Sequence, residues 1–395
     1  MRATTFPLAD SMRRLGTESA FVVLARAKAL EAQGRSIIHL EIGEPDFNTP
    51  EHIKDAAIRS LHANRTHYTP AAGIMELRTA IAAYVERTRG VHVSTDQIVV
   101  TPGAKPMIAA VLMALLNPGD EVIIPDPAYP AYRSITTYVG ATPVSLPLLE
   151  AKDFRFEIET LEASITPRTK ILVLNSPHNP TGGILTPGDI AAIADVVRRH
   201  DIMVISDEIY SRDAYDRPFA SYYGLANNPE HTILIDGCSK TWAMTGWRLG
   251  FGVMPAYIAE AAAALILNTV SCTATFVQDA AIQALEGPDE AVQAMCTEFL
   301  RRRNLLVAGL NKIPGVSCRT PGGAFYVFPN VSRIEPDDIK LANYLLETAG
   351  VAVLGGSTFG PHGKGFLRLS YANSEENLRE ALARMTKALA EYRGS

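Results

Sequence analysis

Between about residues 95 and 255, short apolar runs alternate with stretches of helical periodicity, and this rhythm limits the available folds more than any other feature of the chain. Apolar runs of that length, bounded by turn formers, read as strands. Strands separated by helices are joined by crossovers, which feed a mostly parallel sheet flanked by helices. The expected strands are Ile98 to Thr101, Glu121 to Pro125, Thr142 to Leu146, Lys170 to Leu174, Ile202 to Ser206, Thr232 to Asp236 and Leu249 to Val253. Thr186, Pro187 and Asp189 supply an N-cap, a first-turn proline and a first-turn acid for a helix running to His200. Asn117 to Asp120, NPGD, is a turn that stops the helix before it.

After about residue 286 the rhythm changes. A long charged helix, Asp289 to Lys312, leads to short strands near Ala324 to Phe328, Val351 to Leu354 and Phe366 to Ser370, which implies a second, smaller domain. The last helix is expected from Asn373 or Ser374, with Leu378, Ala381, Leu382, Met385 and Leu389 on one face.

Composition narrows the partners. The chain has 395 residues, 47% hydrophobic and 20% charged, so it can bury a sizeable core and is not a disordered polymer. A formal charge of -5 gives no basic face for nucleic acid and no polybasic segment for an anionic membrane, leaving small molecules or other proteins. Cys238, Cys272, Cys296 and Cys318 are far apart with no CxxC pair, which suits reduced thiols rather than a disulfide frame or a metal site. The N-terminus has arginines but no apolar run of signal-peptide length, and Met107 to Leu116 is only half a membrane span. A cytoplasmic enzyme is expected.

The chemistry centres on CSKTWAMTGWRLG, residues 238 to 250. Most lysines are solvated surface charges. Lys240, however, follows the strand ending at Asp236 and so sits at the carboxyl edge of the sheet, where α/β proteins place ligands. Among apolar groups and other cations its pKa falls, and its neutral amine can form a Schiff base with an aldehyde. Arg248 adds a planar cationic fork suited to a phosphate, although alone it could equally be a structural ion pair. In TPGAKPM, the strand ending at Thr101 turns into a helix, and the amides of Gly103, Ala104 and Lys105 are expected to face an anion at the positive end of the helix dipole. NSPHNPTGG, Asn175 to Gly183, is dense in turn formers, and its Asn179-Pro180 bond is a candidate for cis geometry. In SDEIY, Asp207 ends an apolar strand and Tyr210 lies one helical turn on; a buried carboxylate there needs a partner, and a protonated ring nitrogen would supply one.

Taken together, EIGEPDF (41 to 47), HYTPAAG (67 to 73), TPGAKPM, NSPHNPTG, SDEIY, SKTWAMTGWRLG and FLRLSYA (366 to 372) resemble the class I, fold-type I aminotransferases that use pyridoxal phosphate, and their order and spacing match the bacterial aspartate aminotransferase subgroup. The similarity covers roughly residues 15 to 390. It implies an α/β fold with a large cofactor-binding domain, residues 49 to 288, and a smaller α+β domain formed by both chain ends, 1 to 48 and 289 to 395. It further implies that Lys240 holds the cofactor covalently and that Arg248 clamps its phosphate. Asp207 would pair with the pyridine nitrogen and strengthen the electron sink. Asn179 and Tyr210 would donate to the phenolic oxygen, and Tyr129, in DPAYPAY, would stack on the ring. Arg368 would grip the substrate α-carboxylate, with the Gly43 backbone alongside. Arginine inside an apolar strand is in any case hard to explain as a surface charge. Tyr68 matches a tyrosine that reaches the neighbouring subunit's phosphate, which implies a homodimer with shared sites.

Two departures stand out. Many relatives carry a phosphate-binding serine where this chain has Gly237, leaving Ser239 or water to serve. Dicarboxylate-specific relatives carry a small hydroxyl residue where TESAFVV has Phe21, and a ring there favours a substrate with an apolar or aromatic side chain. The reaction implied is ping-pong transfer of an amino group between an amino acid and a 2-oxo acid. The nearest alternative is a β-elimination lyase using the same cofactor. A cofactor-sensing regulator would need a DNA-binding domain, for which there is no spare chain, and a nicotinamide enzyme fits worse because no GxGxxG follows the first strand of a crossover unit.

Overall fold

The computed structural model describes residues 6–16 and 18–394. Those parts of the leader reading, of TESAFVV and of the two terminal segments that fall on residues 1–5, Thr17 and Ser395 lie outside it. All seven expected strands form and join one sheet: β1 (Ile98–Thr101), β2 (Glu121–Asp126), β3 (Thr142–Pro147), β4 (Thr169–Asn175), β5 (Met203–Asp207), β6 (Thr232–Gly237) and β7 (Gly250–Val253). Their spatial order is β1-β7-β6-β5-β4-β2-β3. The run from β6 to β3 is parallel, while β7 is antiparallel to both of its neighbours. The connection from β6 to β7 is one helical turn, Cys238–Thr241, and one tighter turn, Thr245–Trp247, with no crossover helix, so the chain can only double back. That return keeps residues 238–249 at the carboxyl edge of the sheet.

Both faces of the sheet are covered. Leu172, Val204, Ile205 and Ile233 are fully enclosed, each contributing about 1.5–3 kcal/mol by leaving water. Helix Pro187–His200 packs against one face, and its start is fixed as its sequence suggests, with the Thr186 hydroxyl accepting from the Asp189 amide at 3.2 Å. Helices Ala104–Leu115 and Ala256–Thr269 cover the other face.

The chain ends meet. Ile38–His39 pairs in parallel with Val351–Ala352, and the Leu40 carbonyl accepts from the Ser370 amide at 2.8 Å. Leu354–Gly355, Leu367–Ser370 and Tyr326–Val327 form an antiparallel sheet against helices Glu290–Leu310 and Glu375–Glu391, the latter capped by Ser374. Two expected strands change form. Ala324 to Phe328 shortens to Tyr326–Val327, since Ala324 adopts a left-handed conformation at φ 56°. Val351 to Leu354 divides because the chain switches partners at Val353, from Ile38–His39 to Leu367–Arg368.

Candidate active site

A cavity of about 570 Å³ opens at the carboxyl edge of the large sheet. Lys240, Asp207, Asn179, Tyr210, Ser239, Arg248 and Arg368 all line it, although they come from distant stretches of chain. Phe21, Gly43, Ala104, Lys105 and Tyr129 complete the set expected from the sequence, apart from Gly103, which packs behind Arg248, and Tyr68. Tyr68 lies outside the cavity in the loop before helix Met75–Arg89, 88% exposed.

Lys240 sits in the helical turn after β6, and its Nζ donates to the Gly43 carbonyl at 2.5 Å. Burial pulls its ammonium down to about 8, opposed by the nearby Glu44 carboxylate and assisted by Arg368. An appreciable fraction of neutral amine at ordinary pH follows, as nucleophilic use of a lysine requires. Asp207 closes β5. It is enclosed, accepts the Tyr132 hydroxyl at 2.6 Å and takes the Ile209 amide at 3.2 Å. Burial pushes its carboxyl up to about 6, while those two donors favour the ionised form. The segment after Asp207 is a turn and not the start of a helix, since the Ser211 amide bonds back to the Glu208 carbonyl and the Asp213 amide to that of Tyr210. The Tyr210 hydroxyl is paired with that of Tyr326 at 2.8 Å.

The Asn179-Pro180 bond is cis, as are Ser176-Pro177 and Asp126-Pro127. The Asn179 amide donates to the Asn175 side chain at 2.9 Å, and Asn175 in turn donates to the Asp207 carbonyl at 3.0 Å, so this loop is tied to the end of β5. Arg368 lies across the Tyr326 ring, 4.6 Å from its centroid. It donates to the Glu41 carbonyl and, at 3.4 Å, to the Asn179 side chain, while its buried Nε has no partner among the described residues. An incoming carboxylate would satisfy that donor. The Gly43 backbone runs so close that a Cβ there would fall 2.2 Å from the Tyr326 hydroxyl.

At the other cationic end, Gly103 has φ 95°, and a Cβ on it would fall 2.2 Å from Nη2 of Arg248. Glycine is needed there on both counts. One expectation is corrected: the Gly103 amide donates to the Thr101 carbonyl at 2.7 Å, so the donors left at this helix start are the amides of Ala104 and Lys105. A Cβ at Gly237 would lie 2.9 Å from the Gly250 Cα and from the Leu249 carbonyl, so any side chain here requires β6 and β7 to move apart. Ser239, two residues on, reaches the cavity.

Several lining groups went unnoticed in the sequence as site residues. Tyr132 is the donor that the buried Asp207 demanded, three residues after Tyr129. Tyr326 underlies Arg368. Lys105 also contributes its side chain, which pairs with Glu18, and the same Glu18 oxygen accepts the Tyr129 hydroxyl at 3.0 Å. A depressed lysine, an enclosed acid, an unpartnered arginine donor and a glycine-arginine cradle at a helix start fit pyridoxal phosphate and an amino acid together.

Such a site, on a seven-stranded sheet whose β7 doubles back, defines a pyridoxal-phosphate enzyme of fold type I. The sequence profile described as "Aminotransferase class I and II" matches residues 35–385. The chain is 40% identical over 391 residues to a probable aspartate/prephenate aminotransferase of Aquifex aeolicus, covering 97% of this chain and 99% of that protein. It is 41% identical over 367 residues to aromatic-amino-acid aminotransferase 2 of Thermococcus litoralis, covering 91% and 94%. The crystal structure of the aspartate aminotransferase from Rhizobium meliloti superposes with a TM-score of 0.94 at 37% identity, over 98% of this chain and all of that one. The chain therefore belongs to the class I and II aminotransferase family. It is a pyridoxal-phosphate-dependent enzyme that moves an amino group between an amino acid and a 2-oxo acid, and these relatives lend the lyase alternative no support.

Proposed function

We propose that this cavity is the active site and that its substrates carry apolar or aromatic side chains. The observation that carries the reading is the convergence of Lys240, Asp207 and the open donor of Arg368 on one cavity. Pyridoxal phosphate supplies an aldehyde that takes up the amino group and a ring that accepts the electron pair left at the substrate's α-carbon. Lys240 would hold the cofactor, and its amine, poised by burial, would serve as the base that moves a proton at the substrate's α-carbon. Asp207, oriented by Tyr132, would keep the ring nitrogen protonated. Asn179 and Tyr210 would hold the phenolic oxygen, and Tyr129 would support the ring. Arg248, Ser239 and the amides of Ala104 and Lys105 would hold the phosphate, with Gly103 allowing the close approach. Arg368, beside Gly43, takes the α-carboxylate.

Phe21, Ala20 and Leu24 on helix Ser19–Glu31, together with Ile42 and Ile108, give the cavity an apolar lining that favours an uncharged substrate side chain. A homodimer with shared sites is supported by the exposure of Tyr68 and of the apolar side chains Ile58, Leu61 and Met75 on the helices that flank its loop in sequence, all at least 46% exposed. The large domain is taken as residues 49–288, and the small one as 289–395 with the first 48 residues, a division supported by the pairing of Ile38–His39 with Val351–Ala352. Among the described residues no helix is long and apolar enough to cross a membrane, and the four cysteines are free, which fits a cytoplasmic enzyme. The test is half-transamination with single amino acids, following conversion of the cofactor's aldehyde form to its amine form. Aromatic and branched donors are expected to convert it faster than aspartate. Protein that stays colourless with the coenzyme, and from which borohydride recovers nothing attached to Lys240, overturns the reading.

A further inference from the structure

Four cations line the cavity, and their partners differ in kind. Lys240 is bonded to the Gly43 carbonyl, Arg248 to the Thr245 carbonyl, and Arg368 to the Glu41 carbonyl and the Asn179 amide oxygen. Arg248 and Arg368 therefore keep their net charge available to an incoming anion, while Lys240 is the residue proposed to hold the cofactor. Lys105 is the one that, among the described residues, has a carboxylate from the cavity wall as its partner, Glu18. Glu18 precedes helix Ser19–Glu31, whose Ala20, Phe21 and Leu24 line the same cavity, and it is also held by the Tyr129 hydroxyl at 3.0 Å.

We propose that Glu18 is an internal counter-ion that selects against substrates with a second carboxylate by occupying Lys105. The proposal rests on the reading of the cavity as the substrate site. A second carboxylate brought to this wall would meet a cation already neutralised and an acid of its own sign. An apolar side chain meets neither, and packs on Phe21, Ala20 and Leu24. The pair is only partly sheltered, with the Glu18 side chain 24% and that of Lys105 45% exposed, so the discrimination is modest in size.

The cofactor-loaded protein is titrated by calorimetry with succinate and with 3-phenylpropionate, which lack an amino group and bind without reacting. Glu18→Gln keeps the shape and the Tyr129 contact while freeing Lys105, and is expected to raise the affinity for succinate relative to 3-phenylpropionate by about fivefold. Lys105→Met leaves Glu18 uncompensated and shifts the same ratio the opposite way. A contact that merely fastened the helix would shift both variants in one direction, which would overturn the proposal, as would a Glu18→Gln ratio within about twofold of the parent. Arg368→Ala separates the two levels of the argument. If neither acid loses affinity in that variant, the cavity is not the acid site and both readings fall; if both do while Glu18→Gln leaves the ratio alone, only the role of Glu18 is lost.

Discussion

Asp207 and Lys240 lie at the ends of β5 and β6, where neighbouring strands, an enclosed tyrosine and loop carbonyls hold them in place. Phe21 and Glu18 ride instead on the N-terminal segment; Phe21 is 62% exposed, and Glu18 is tethered by two side-chain contacts. Both groups line one cavity, yet one is fixed by the sheet and the other by a helix seated on a small apolar contact around Ala27 and tethered by a few polar bonds. Bond-making groups need geometry that does not vary between substrates. A wall that discriminates among side chains can be altered without dismantling the sheet edge. Substitutions at the sheet edge should therefore act alike on every substrate, and those on the terminal segment should act selectively.

Lys240→Ala should give the largest effect, a loss of at least about 10² to 10⁴ in rate for every amino acid tried, since a positioned base disappears. Borohydride treatment followed by mass spectrometry should recover no attached cofactor. Retention of fast turnover with even one donor would break the contrast at its strongest point. Arg368→Ala comes next. It removes the contact proposed to the α-carboxylate, worth about 1.5–3 kcal/mol net, so kcat/KM should fall about 10- to 150-fold and by similar factors for phenylalanine and leucine.

The sheet edge was far more legible in the sequence than the wall. Strand β5 reads as an apolar run ending in Asp207, and the Thr186 cap reads from three adjacent residues, because both are local patterns. The direction of β7 was not legible, since it depends on the shortness of the connection before it and not on its own residues. Nor were the side-chain pairs: Tyr132 meets Asp207 across 75 positions, Tyr210 meets Tyr326 across 116, and Lys105 meets Glu18 across 87. Partners so far apart leave no mark in any local window. The Gly103 amide was misassigned for the opposite reason, because its bond to Thr101 is too local for a general picture of a helix start to anticipate.

Gly237→Ser sharpens the contrast from the side of the sheet. The new Cβ would sit 2.9 Å from the Gly250 Cα, so β6 and β7 must part slightly. Overpacking of this kind costs about 1–3 kcal/mol, which denaturant unfolding would register. Cofactor affinity should not improve, despite the added hydroxyl. Tighter coenzyme binding at unchanged stability would mean that the strands can yield here after all.

The smallest effect belongs to the terminal segment and is read through pH. His39 joins helix Ser19–Glu31 to the strand that follows it, with Nδ1 2.7 Å from the enclosed Glu41 carboxylate and Nε2 3.1 Å from Glu31. The bond to Glu41 outweighs burial and raises the imidazolium from 6.5 to about 9. A group whose value is higher in the folded chain favours folding while it is protonated in both states. Its contribution is therefore complete below about pH 6.5 and disappears as pH rises through about 9. Because the ring is partly solvated, the contribution is on the order of 1 kcal/mol or less. The stability difference between the parent and His39→Gln should accordingly be positive at pH 6 and vanish near pH 10. A difference that stays flat across that range would mean that the charge on His39 adds nothing to the apolar packing that already seats this segment.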